Sequence, residues 1–195
     1  MIYIFITFEL AAALLGLALA WMFDAPMLDR LGWDARSFAL GVAATVPLLA
    51  ALGIGLRWPP APLRYLYQRL DEEVLPMLAP ASWPQLAVLA VVAGVGEELL
   101  FRGFLQQAFA DRFGIPSGLV IASLLFGLAH PMSKTYVLLA ALIGAWLGVL
   151  FVETDGLLAP IVTHALYDFV ALAWLLRRHR ALAAADDQAG DNQRD

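Results

Sequence analysis

The sequence predicts an all-α fold: a polytopic membrane helix bundle of about six transmembrane helices with a cytoplasmic interfacial segment. Three observations lead there. Hydrophobic residues make up 62% of the 195 residues and charged residues only 15%, against about 45–50% and about 25% in a soluble domain. The mean hydropathy is +0.75. The apolar residues also gather into long runs, several near the length of about 20 that a helix needs to cross the hydrocarbon. The same numbers exclude disorder and collagen. A net charge of −5 disfavours a nucleic-acid partner, because phosphate binding needs a basic surface. The absence of cysteine excludes disulfides, thiolate zinc sites, iron–sulfur clusters and a cysteine nucleophile.

The expected spans, in order, are residues 2–23, 37–56, 85–106, 115–130, 136–152 and 156–176. The first holds Glu9 and has no Lys or Arg before its apolar run, so it reads as a retained helix rather than a signal peptide. The second is bracketed by Arg36 and Arg57, the fourth is closed by Pro131, and the sixth by Arg177, Arg178, His179 and Arg180. Residues 58–84 hold Pro59, Pro60, Pro62, Pro76, Pro80 and Pro84, too many breaks for a span. Leu66, Leu70, Val74 and Leu75 recur there near the helical period, which predicts a short amphipathic helix on the cytoplasmic surface. Residues 1–180 form one integral membrane domain, with a motif-bearing core at 83–176. Residues 181–195, small and acidic, read as a disordered polar tail.

Basic residues choose the orientation. Arg57, Arg64, Arg69, Lys134, Arg177, Arg178, Arg180 and Arg194 fall on one side; Arg30, Arg36 and Arg112 fall on the other. Both termini are expected in the cytoplasm, in the cell (inner) membrane. Trp21, Trp58, Trp83 and Trp174 sit near helix ends, as interfacial indoles do, whereas Trp146 falls in mid-span.

Ionisable groups inside apolar helices carry the functional signal, since each costs about 2.5–3.5 kcal/mol at a helix centre. Glu98 and Arg102 are four apart and can pair on one helix face, while Glu97, rotated about 100° away, has no such local cation. A structural ion pair explains Glu98 and Arg102 but leaves Glu97 without a reason. Phe126 and His130 share a face, and His130 alone reads equally as a helix cap. His164 and Asp168 share a face within the sixth span, as a hydrogen-bonded packing pair or as part of a site. Glu9 reads as structural, His179 as surface, and Asp71, Glu72 and Glu73 as a solvated face. If the three clusters meet, they form a water-activating set: a carboxylate can take a proton from water and imidazoles can position it. The same set could hold zinc through His130, His164 and the Glu97 carboxylate, with water as the fourth ligand.

These clusters resemble a known family. Glu97-Glu98-x-x-x-Arg102 looks like its motif EExxxR, Phe126-x-x-x-His130 its FxxxH, and His164-x-x-x-Asp168 its HxxxN or HxxxD. The family is CPBP, the CAAX-protease and bacteriocin-processing intramembrane proteases, also called Abi proteins, and the similarity covers about residues 83–176. The resemblance implies an intramembrane endopeptidase that hydrolyses a peptide bond of a membrane-associated protein or peptide. Glu97 would be the general base on water, with His130 helping to bind it; Glu98 and Arg102 would support Glu97; His164 and Asp168 would stabilise the oxyanion. No cofactor is required on this reading, and zinc is the alternative. Where the family commonly has Asn, this chain has Asp168, which donates a hydrogen bond only when protonated. Two competing functions use the same charges: a catalytically silent bacteriocin-immunity or membrane-binding protein of this fold, and a small proton-coupled transporter, which the lack of visible inverted repeats disfavours.

Overall fold

The computed structural model describes residues 1–191, and among them there is no strand. Helix α1 spans Ile2–Met22 and α2 spans Ala35–Arg57. Then come α3 (Ala61–Arg69), a π turn (Leu70–Val74) and α4 (Leu75–Leu78). Helix α5 (Trp83–Glu98) passes through a π segment (Leu99–Gln106) into α6 (Gln107–Phe113). Helices α7 (Ile115–Leu128), α8 (Lys134–Thr154) and α9 (Leu158–Asp191) complete the chain.

Local chemistry sets the boundaries. Asp34 caps α2 by accepting from the Ser37 N–H at 2.9 Å, which holds its carboxyl below the usual range. Ser82 and Gln85 form a capping box at the start of α5. Gly114, at φ +87°, turns α6 into α7, a backbone angle that side chains disfavour. Ser133 caps α8 by accepting from the Tyr136 N–H at 3.1 Å.

Four helices are long and apolar enough to cross a membrane: α1, α2, α8 and the Leu158–Leu182 part of α9. The other two of the six expected spans differ. Helix α7 has 14 residues, about 21 Å at 1.5 Å per residue, short of the roughly 30 Å hydrocarbon. The expected span 85–106 lies in one helical rod, 83–113, whose regular α geometry gives way to π turns after Glu98. Helix α9 also runs through Asp191, where a disordered tail is expected from 181; its Ala-rich composition favours helix. Residues 192–195 of that expected tail lie outside the described residues.

Residues 61–78 are helical as expected, but their apolar face is covered by protein. Leu75 and Leu78 pack with Ile2, Leu86, Leu89 and Leu176. The start of α1, the start of α5 and the end of the apolar part of α9 therefore meet at one end of the bundle. Arg180 ties that end together by donating to the carbonyls of Ala79 and Ala81 at 2.7 and 2.9 Å. The acidic run there is not simply solvated: Asp71 faces His179 at 3.4 Å and Glu73 pairs with Arg69 at 2.6 Å. At the other end Ala20, Met27, Leu99, Phe104, Phe151 and Leu157 form a second cluster. The Leu157 N–H donates to the Arg30 carbonyl there at 2.7 Å.

Apolar side chains gain little by leaving lipid for one another, so small residues that let backbones approach hold such bundles together. Gly96 lies directly against the Glu9 carbonyl, bringing α1 onto α5. Gly94 meets α9 at Ala165, and Gly127 meets α8 at Val137 and Ala141. Trp146, out of place in mid-span, donates its indole N–H to the Ala44 carbonyl of α2 at 3.1 Å.

Candidate active site

The three sequence clusters come together. Glu98 and Arg102 are fully buried, with side-chain exposures of 0% and 1%. Arg102 donates from Nη1 to Glu98 Oε1 at 2.7 Å, and the i, i+4 pair forms as the spacing requires. His164 Nδ1 reaches the same oxygen at 2.8 Å. That oxygen accepts, so Nδ1 carries the proton. The opposite ring nitrogen, Nε2, faces Asp168 Oδ2 at 3.5 Å and Glu97 Oε2 at 3.9 Å.

His130 reaches the cluster because α7 ends early. Its Nδ1 donates to the Phe126 carbonyl at 2.8 Å, one turn back. Nε2 then turns toward Glu97 Oε1 at 3.7 Å. Both imidazole–Glu97 separations exceed hydrogen-bond length, and a water molecule can bond to both partners across such gaps. Access narrows inward: the side chains of Asp168 and His130 are 31% and 23% exposed, those of Glu97 and His164 12% and 6%.

Phe126 is the shelf on which this arrangement rests. Arg102 lies over its ring at 4.6 Å, and the rings of His130 and His164 stand 4.9 and 5.8 Å away. The guanidinium gains a cation–π contact besides its ion pair. Sequence reasoning found Phe126 only as part of a motif.

Three further contributors escaped it. Arg102 Nη2 donates to the Gly144 carbonyl at 2.8 Å, and Gln106 Nε2 to the Gly148 carbonyl at 3.1 Å. The two donors are four residues apart on the rod and the two acceptors four apart on α8, so the contacts form a short ladder. A Cβ at Gly144 would stand 3.3 Å from Arg102 Nη2, and one at Gly148 2.7 Å from Gln106 Oε1. The visible signal was Gly144-x-x-x-Gly148 in an apolar helix. The third contributor is Glu9, expected to be merely structural. Its backbone carbonyl lies against Gly96, the residue before Glu97, and its Oε2 is buried without a hydrogen-bond partner.

His130, His164 and Glu97 have the donor types that zinc takes. Among the described residues, however, no three such side chains stand close enough together to hold a metal ion as they are placed.

A buried Glu–Arg–His cluster thus stands beside a second glutamate and a second histidine within apolar helices, an arrangement able to hold and activate water. The comparison with known families agrees. Residues 79–170 match the family described as type II CAAX prenyl endopeptidase Rce1-like, and all seven motif residues fall inside the match. Residues 79–170 are thus similar to an Rce1-like domain, a match that supports kinship with the CPBP membrane proteases. The family supports a CAAX-type intramembrane protease in general, acting on a peptide or protein, and the apolar helices support an integral membrane protein. No curated protein and no solved structure matches the chain.

Proposed function

We propose that the protein is an intramembrane endopeptidase that cleaves a membrane-associated protein or peptide with a water activated by Glu97. The observation that carries this reading is that Glu97 is the carboxylate left over. Glu98 is taken by Arg102 and His164, whereas Glu97 faces two imidazole nitrogens across gaps of 3.7 and 3.9 Å.

The chemistry follows from the protons. The donating Nδ1 of His130 leaves Nε2 of the neutral ring as an acceptor, so a water beside Glu97 can donate a hydrogen bond to Nε2 while it gives its other proton to the carboxylate. The hydroxide so formed adds to the scissile carbonyl carbon. The resulting oxyanion takes hydrogen bonds from His164 Nε2, when the ring carries both protons, and from Asp168 when protonated. Collapse breaks the C–N bond, and Glu97 returns its proton to the leaving amine. Glu98 and Arg102 hold the orientation of His164 and of the helix that carries Glu97. No resident metal is needed in this scheme. If one were bound, His130, His164 and Glu97 would have to draw closer together than they stand to hold it, and it would supply Lewis acidity to the water.

The excess of arginine at the bundle end that carries Arg64, Arg69, Arg177 and Arg180 supports placing that end in the cytoplasm, and with it both termini, in the cell (inner) membrane.

The test is cleavage of a set of membrane peptides by purified full-length protein, with and without chelator, alongside Glu97→Gln. The wild type is expected to cleave with or without chelator. The variant should fold yet lose about 10²–10⁴ in rate, the usual worth of a general base. Retained cleavage by Glu97→Gln would reject the glutamate base. Chelator-sensitive wild type would replace it by metal chemistry, and no cleavage of any peptide would favour the catalytically silent reading.

A further inference from the structure

Helix α9 carries a second feature on the side turned away from His164 and Asp168. Phe169, Val170, Ala173, Trp174 and Arg177 share a face there and, with Trp83 of α5, line a groove of about 520 Å³. It opens to the outside of the bundle: Trp83, Val170 and Trp174 are 37%, 37% and 44% exposed. From Phe169 to Arg177 it runs about 12 Å at 1.5 Å per residue, from mid-helix to the end of the apolar stretch. A Cβ at Gly53 would stand 3.3 Å from the Trp174 ring, so α2 meets α9 beside the groove. Gly41 meets α9 earlier, at Ala159 and Val162, so the two helices run the same way and end, at Arg57 and Arg177, on one side.

The arginines at this end differ in what they hold. Arg177 and Arg180 both lie over the Trp83 ring, at 5.2 and 5.3 Å. Arg180 is occupied by the Ala79 and Ala81 carbonyls, and Arg178 faces Asp71 at 3.9 Å. Among the described residues Arg177 has no carboxylate partner and no hydrogen bond, yet it is the residue that closes the groove.

We propose that the groove holds a phospholipid with an anionic headgroup: Arg177 takes the phosphate, and an acyl chain lies along Ala173, Val170 and Phe169. The donor set selects this occupant. The polar groups of the lining side chains, two indole N–H and one guanidinium, are all donors, and a phosphodiester offers only acceptors. A peptide laid there would leave its own N–H groups unpaired in lipid. A cation at the headgroup level with no protein counter-ion favours an anionic lipid over a zwitterionic one, and indoles favour that same level. The inference does not depend on proteolysis.

Full-length protein in phosphatidylcholine nanodiscs, doped with a minor fraction of a lipid carrying brominated chains, tests it, because bromine quenches indole emission on contact. Brominated phosphatidylglycerol should occupy the groove about fivefold better than brominated phosphatidylcholine, the worth of one arginine near an anionic headgroup. The excess quenching should vanish in Arg177→Gln, an exposed change that leaves the fold intact, and persist in Arg178→Gln. Equal quenching by the two lipids, or an excess unchanged in Arg177→Gln, overturns the site. An equal loss in Arg178→Gln would mean diffuse surface charge, and an excess that survives Trp83→Phe with Trp174→Phe would come from other indoles; either overturns it too. Inorganic phosphate should not displace the lipid; if it does, the site reads a free anion. A dimer in neutral nanodiscs that Trp174→Ala dissociates would give the groove to a second copy instead.

Discussion

His164 donates from Nδ1 to the same Glu98 oxygen that accepts from Arg102, at 2.8 Å, so α9 is locked to the rod at the level of the site. In the mechanism proposed above, Glu98 is therefore a support and not the base. It orients an imidazole on a different helix, and Arg102 neutralises it.

Removing that neutralising charge should be costly. Arg102→Ala is expected to destabilise the protein by about 3–5 kcal/mol, the usual penalty for stranding one partner of a buried pair. Thermal unfolding in detergent will read it. The double variant Glu98→Gln, Arg102→Gln should recover part of the loss, since coupled partners are non-additive. An Arg102→Ala protein as stable as wild type would show that the pair is not structural.

Asp168 tests the donor side. Its Oδ2 lies 3.5 Å from His164 Nε2 in the more open part of the site. Asp168→Asn should keep substantial activity, since an amide donates without needing a proton. Asp168→Ala and His164→Ala should lose about 2.7–4 kcal/mol of transition-state stabilisation. Cleavage rates for the three variants decide, and an inactive Asn variant would mean that an anion is needed there.

Phe126→Leu should lower stability by about 2 kcal/mol, because the leucine keeps much of the volume but not the ring face under Arg102 at 4.6 Å. A melting temperature equal to wild type would remove the cation–π contact from the account.

Gly127→Ala probes how His130 is placed. A Cβ there would stand 2.5 Å from the Val137 carbonyl oxygen, which is backbone and cannot swing aside. The α7–α8 hairpin must open, at about 1–3 kcal/mol for overpacking, and His130 moves with it. Activity should fall along with stability; a fully active variant would show that the turn carrying His130 is insensitive to this crossing.

Much of this was legible in advance, for identifiable reasons. Buried charges at i, i+4 have few uses in lipid, so Glu98 with Arg102 and His164 with Asp168 stand out from composition alone. Spacing also separated Glu97 from its neighbour. What spacing cannot give is register between helices. Glu9 was visible as a charge, but Gly96, which its backbone carbonyl meets, lies 87 residues along the chain. The Gly144 and Gly148 carbonyls carry no residue signature at all. The short α7 reads as a span by hydropathy, and only its termination before Pro131 hinted that His130 stops part way across.

The ladder from Arg102 and Gln106 to the Gly144 and Gly148 carbonyls has one more consequence. Helix α8 anchors the charged centre through its main chain, which every amino acid possesses. A saturation library along that face should therefore sort by size and not by polarity. Alanine and serine at Gly148 should behave alike, as should leucine and glutamine, and a substitution should be judged by the room it takes from the Gln106 side chain.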